Sequence, residues 1–169
     1  MMRFCHIAAY DTNPCVLQAA QKEGLDTYLE LSPEIFLEDT IVIGCVGSPS
    51  FGEEMFRAFL DGKGTNLYLA SGSSKEVEFS WFFRYLAGKE TEISGLFLEE
   101  QRTAKRHTCY RFRYNGSEKN VYIMAEGKPV NFYREGVISL TYRMIDLVFT
   151  EMLKMALYLC RNREEPLAR

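Results

Sequence analysis

Two short apolar runs constrain this chain most, because each ends in a turn of small residues and is followed by a helix-compatible stretch. The first is Thr40-Ile41-Val42-Ile43-Gly44-Cys45-Val46, closed by Gly47-Ser48-Pro49-Ser50. The second is Thr65 to Ala70, closed by Ser71-Gly72-Ser73-Ser74. Continuous apolar runs of this length predict strands buried on both faces of a parallel sheet. Ser50 with Glu53 makes a capping box for a helix from Phe51 to Leu60, which Gly62 and Gly64 end. Glu76 to Ala87 predicts another helix. Upstream, Arg3 to Tyr10 is a short β-compatible run. Asn13 then suits an N-cap, Pro14 the first helical position, and Gly24 stops a helix over Cys15 to Glu23. Asp26 to Leu31 predicts a second short strand, and Ser32-Pro33-Glu34 a short helix start. Strand and helix thus alternate with short links, which predicts an α/β fold with a parallel sheet.

The pattern changes after Gly88. Cys109 to Tyr114 and Val121 to Met124 flank Asn115-Gly116, an antiparallel hairpin signal. Asn115-Gly116-Ser117 also matches a glycosylation sequon, but between two alternating strands it reads as the hairpin turn. Gly127-Lys128-Pro129 is another turn, and Val130-Asn131-Phe132 a short extended piece. Ile145, Val148, Met152, Met155 and Leu159 recur at helical spacing in a long last element, Ile138 to Cys160. The charged tail, Arg161 to Arg169, is expected to fray. One domain is expected over residues 1–169: βαβ-type units in 1–88, a hairpin region in 105–133 and the long helix in 138–160.

The 169 residues suffice for one domain with a sizeable core, and 47% of them are hydrophobic. A formal net charge of −3 argues against broad nucleic-acid attraction. The densest basic stretch, Arg102 to Arg113, is followed by alternating apolar residues and reads as a solvated strand edge. No apolar run reaches the ~20 residues of a membrane span. The start lacks a signal-peptide pattern, so a cytoplasmic protein is the expectation. Cys5, Cys15, Cys45, Cys109 and Cys160 form no CxxC pair and read as reduced, mostly buried thiols. With only His6 and His107 beside them, a zinc site is not expected. Both histidines read as structural or exposed.

Several segments resemble adenosylhomocysteinase, in one order along most of the chain. Asp11-Thr12-Asn13-Pro14-Cys15-Val16-Leu17-Gln18-Ala19-Ala20 is similar to that family's acidic-x-Asp-Pro-x-x-Leu-Gln-Ala-Ala segment. Ile41 to Gly47 resembles its strand ending in a Thr-Thr-Gly turn. Leu69-Ala70-Ser71-Gly72-Ser73 stands where the family has Asn-x-Gly-His. Tyr122 to Asn131 is close to its Leu-Leu-Ala-Glu-Gly-Arg-x-Val-Asn. The resemblance implies an incomplete Rossmann-like parallel sheet with flanking helices, a C-terminal β-hairpin region and a long C-terminal helix. It corresponds to the second half of the family's NAD-binding domain.

The resemblance also implies a site. Asp11 would accept hydrogen bonds from adenosine ribose hydroxyls and favour NAD over NADP; its competing role is the helix-capping turn. Gly47 and Gly72 would let the backbone approach a ligand at the strand ends, or serve as ordinary turn glycines. Asn131 matches an asparagine on the nicotinamide side, or stabilises a turn. Thr12, Cys45, Val46, Ser71 and Ser73 flank these positions as further candidate cofactor contacts.

The departures weaken that implication. No Gly-x-Gly-x-x-Gly occurs anywhere, so the loop that cradles a pyrophosphate has no counterpart. Gly62-Lys63-Gly64-Thr65 lacks P-loop spacing. The His of Asn-x-Gly-His is Ser73, and a later Gly-His-Pro is replaced by Gly136-Val137-Ile138. No acid–base or nucleophile constellation replaces what is lost, so no catalytic residues and no hydrolase activity of the chain alone are expected. NAD or adenosine binding would be weak or absent. Without the family's first strand, Arg3 to Tyr10 and Ile41 to Val46 would flank a gap. Three arrangements would close it: a slid strand, a homodimer, or a partner chain that completes the sheet. The functional readings are therefore a weak nucleotide binder, a non-catalytic interaction or assembly protein that kept the fold, or one subunit of a split enzyme.

Overall fold

The computed structural model describes residues 6–73, 77–104 and 107–129. They form a mixed α/β fold. Strand β1 (Ala8–Tyr10) leads to helix α1 (Pro14–Lys22) and strand β2 (Asp26–Tyr28). A 3-10 turn at Pro33–Phe36 precedes β3 (Thr40–Gly44), α2 (Glu53–Asp61), β4 (Asn66–Ser71) and α3 (Ser80–Leu86). Three antiparallel-linked strands follow: β5 (Leu96–Ala104), β6 (His107–Tyr114) and β7 (Ser117–Ile123). A second 3-10 turn spans Met124–Gly127.

Local chemistry explains most boundaries. Asn13 caps α1 by accepting from the Cys15 amide at 3.0 Å, and Gly24 leaves the helix with φ +84°. Asn115 and Gly116 both have positive φ, 48° and 84°, as a two-residue hairpin turn requires. The expected capping box of α2 does not form. Gly52 is its N-cap, Glu53 pairs with Arg57, and Ser50 turns to Glu78 instead. A buried carboxylate outcompetes a solvated helix end for that hydroxyl.

The strands form two sheets. β1 and β2 pair in parallel by themselves, while the larger sheet has the order β3-β4-β7-β6-β5. In it β3, β4 and β7 run parallel, and β6 and β5 are antiparallel additions. Helices α2 and α3 pack on one face. Leu67, Leu69, Tyr110, Phe112, Val121 and Ile123 point from the sheet into a single cluster with Met55, Phe56, Phe59 and Leu60 of α2 and Trp81 and Phe82 of α3. Phe56 is the hub, with ring contacts to Phe51, Trp81, Phe82, Tyr85 and Phe112. Edge-to-face pairs of this kind add to the burial energy.

Lys119 secures the end of α2. Its ammonium is buried, donates to the carbonyls of Phe59 (3.2 Å), Gly62 (2.7 Å) and Gly64 (2.8 Å), and lies 5.0 Å over the Phe59 ring. A cation is favourable at a helix C-terminus, although burial pulls this ammonium below its usual range.

Three sequence expectations need correction. β3 is not buried on both faces: it is an edge strand, with Ile41 66% and Ile43 62% exposed. Both helices take the same side of the sheet, so no described helix covers the other. The expected helix over Glu76 to Ala87 begins only at Ser80, because Glu78 is held in a turn by tertiary hydrogen bonds. Finally, none of the described cysteines is buried: Cys15 and Cys45 are exposed and Cys109 is half-buried, all three free. The extended piece at Val130-Asn131-Phe132, the helix expected from Ile138 to Cys160, and Gly136 lie outside the described residues.

Candidate functional site at the strand ends

The carboxyl ends of parallel strands are where an α/β sheet ordinarily receives a ligand. Here those ends are occupied by the chain itself. Glu78 is fully buried. Its Oε1 accepts from the Gly47 amide at 2.6 Å, and its Oε2 accepts from the Ser50 hydroxyl. Its carbonyl accepts from the amides of Ser50 and Phe51, both at 3.1 Å. No lysine, arginine or histidine pairs with it among the described residues. Gly44, the last residue of β3, makes room: a Cβ there would lie 2.8 Å from Glu78 Oε2.

Gly72 is closed off in the same way. Its amide donates to the Gly44 carbonyl at 2.7 Å, and the Cys45 sulfur lies where a Cβ would sit, 2.9 Å away. Ser71 is buried and its hydroxyl is 3.5 Å from that of Ser73. Val46 is exposed. Cys45, Gly47, Ser71, Gly72 and Ser73 thus lie at neighbouring strand ends, where the Gly47 and Gly72 amides serve internal acceptors.

Asp11 and Thr12 stand apart, at the end of β1 in the two-stranded sheet. Asp11 Oδ1 accepts from the Asn13 amide at 2.7 Å, the turn-forming role weighed above. Thr12 is exposed. Asn131 lies outside the described residues. His6 is exposed and pairs with Asp26, and His107 Nδ1 accepts from the Ala125 amide at 3.3 Å.

Two features escaped the sequence. The first is Glu78, whose partners Gly47 and Ser50 are about thirty residues away in sequence; only the small residues at Gly44 and Gly47 hint at a buried neighbour. The second is the turn after β7, where Ala125, Glu126 and Gly127 all have positive φ (52°, 58° and 80°). Left-handed backbone costs a non-glycine residue roughly 1–2 kcal/mol, so this turn is held by its surroundings. The close approach of the Phe83 ring, 2.8 Å from a Cβ built on Gly127, explains the glycine.

Elsewhere, an open cleft of about 750 Å³ lies between the end of α3 and the start of β5, lined by Tyr85, Glu92, Ile93 and Phe97 among others. A second, of about 610 Å³, lies by the end of α2 and the β6–β7 hairpin. Neither contains a residue predicted for the cofactor. Among the described residues no cluster of His, Cys, Asp and Glu is arranged to hold a metal ion, and no helix is long and apolar enough to cross a membrane. The chain matches no protein-family profile, no curated protein and no solved structure.

Proposed function

We propose that this chain is a non-catalytic interaction protein built on a Rossmann-like frame, similar to the second half of the adenosylhomocysteinase NAD-binding domain, in which the ligand end of the sheet has been filled from within. The observation that carries this reading is the Glu78 carboxylate, seated under Gly44 and holding the Gly47 amide and the Ser50 hydroxyl. With the Gly47 amide already donating to Glu78 and no Gly-x-Gly-x-x-Gly in the sequence, the turn offers no backbone cradle to the phosphates of a dinucleotide.

The second reading is weak NAD or adenosine binding through Asp11. Its favouring observation is placement: Asp11 is half-exposed at the carboxyl end of β1, where a ribose contact would be made. Calorimetric titration with NAD, NADH, NADP and adenosine, repeated on Asp11→Ala, separates the two. The interaction reading expects no heat and no thermal shift up to millimolar ligand. Saturable binding that the substitution abolishes would replace it with the nucleotide reading.

A further inference from the structure

The sheet's two edges are built differently. β5 carries an irregularity between Leu98 and Glu100, and its charges are matched across to β6: Glu99 to Arg113 at 2.8 Å and Glu100 to Arg111 at 3.0 Å. Bulges and charge on an edge strand are the ordinary protection against unwanted pairing. β3 has neither. Among the described residues its five, Thr-Ile-Val-Ile-Gly, pair only with β4, and its outward side chains are isoleucines.

The surroundings share this character. Of ten large hydrophobic side chains exposed among the described residues, seven lie between Ile7 and Val46. The same stretch is strongly acidic. Residues 6–54 contain nine Asp and Glu against one lysine, Lys22. Glu38 directly precedes β3 with Asp39, whose carboxylate accepts from the Thr65 and Asn66 amides; Glu30 and Glu34 lie in the connector before it, and Glu53 and Glu54 open α2. Two cations of this region are already engaged: Arg57 pairs with Glu53, and the Lys119 ammonium donates to the carbonyls of Phe59, Gly62 and Gly64.

We infer that the free edge of β3 docks an extended, basic segment of a partner protein, whose alternate apolar side chains cover Ile41 and Ile43. This rests on the reading of the chain as an interaction protein. Strand addition takes its affinity from main-chain hydrogen bonds and its specificity from the alternate side chains. Here the specificity is apolar on the sheet face and cationic at the ends, where Glu38 and the connector carboxylates wait. A five-residue strand fits a segment of similar length. Charge selects this occupant. A second copy would bring the same carboxylates to its own β3, and its arginines on β6 are already matched by Glu99, Glu100 and Glu118. Nucleic acid and anionic lipid surfaces are repelled by the same field.

The probe is a fluorescein-labelled peptide with blocked ends, Lys-Val-Lys-Val-Lys-Val-Lys, beside its Glu-Val counterpart. Anisotropy is read at low and high salt, and amide exchange is followed over residues 40–44. The expected result is saturable binding of the basic peptide only, weakened at least about tenfold by half-molar salt, as a charge-driven contact requires, with new protection over 40–44. Ile41→Thr with Ile43→Thr keeps the strand and its β-propensity but weakens binding about tenfold. Glu34→Lys with Glu38→Lys, both exposed and away from the core, abolishes the preference for the basic peptide. No binding up to millimolar peptide, or equal binding to every variant without protection at 40–44, overturns the inference. Protection at 40–44 that rises with protein concentration alone overturns it in favour of self-pairing. A silent nucleotide titration with no peptide binding removes only this docking site; Asp11-dependent NAD binding removes the interaction reading itself.

Discussion

Strand β3 has a closed end and an open side. At its carboxyl end, Gly44, Gly47, Ser50, Gly72 and Glu78 satisfy one another, and a side chain from thirty residues away fills the space. Along its side, isoleucines stand in water and the backbone edge meets nothing among the described residues. The end is where α/β proteins take small ligands and the side is where they take other chains. The difference teaches that a polar crevice can be completed by one internal carboxylate, whereas an apolar strand edge can be completed only by another strand.

The largest expected effect falls at the closed end. Glu78→Ala leaves the Gly47 amide and the Ser50 hydroxyl without their acceptor and opens a void, and should cost about 2–4 kcal/mol in denaturant unfolding. A cost under about 1 kcal/mol would mean that the carboxylate is not the keystone of this end. Next is Gly44→Ala, whose Cβ would press on Glu78 Oε2 and on the Ser50 hydroxyl, 3.0 Å away. Overpacking of this kind should cost about 1–3 kcal/mol. On the open side, Ile43→Thr should stay within about 0.5 kcal/mol, since little is buried there to lose. A large loss would show that Ile43 is covered within the monomer, and would erase the contrast.

A smaller effect is read in alkali. Burial raises the phenol of Tyr110 above its ordinary value, and burial together with Glu92 raises that of Tyr85. Each group holds its proton more tightly when folded, so its contribution is complete below the unfolded value of about 10 and is lost as pH rises through the folded one. Lys119, lowered by burial, works in the opposite sense, since its penalty is relieved as pH rises. With more tyrosines raised than lysines lowered, stability should fall above about pH 10, and Tyr110→Phe should flatten the fall. Thermal melts from pH 8 to 11 test this.

Local chemistry was legible from the residues. Asn13, Pro14 and Gly24 bound α1 where expected, and Asn115-Gly116 makes the hairpin turn, because caps and primed turns depend on a few adjacent residues. What depended on distant partners was not. Glu78 reads as an ordinary helical glutamate, and nothing near it in sequence announces Gly47 or Ser50. β5 reads as polar, with Glu99-Glu100-Gln101-Arg102, and becomes a strand by pairing with β6. The apolar run of β3 suggested burial on two faces, but hydrophobicity alone does not say whether the covering layer belongs to the same chain. The hydrogen-bond partners of the strand-end residues, which decide whether a ligand can use them, were visible only in three dimensions.

The most direct test is the exchange rate of a single amide, that of Gly47, followed by NMR in the free protein and with millimolar NAD or adenosine. If the end of β3 is closed from within, the Gly47 amide is protected without ligand, remains so with it, and loses protection in Glu78→Ala. A Gly47 amide that exchanges freely alone and becomes protected when the nucleotide is added would show an open, ligand-receiving turn, and would contradict the account.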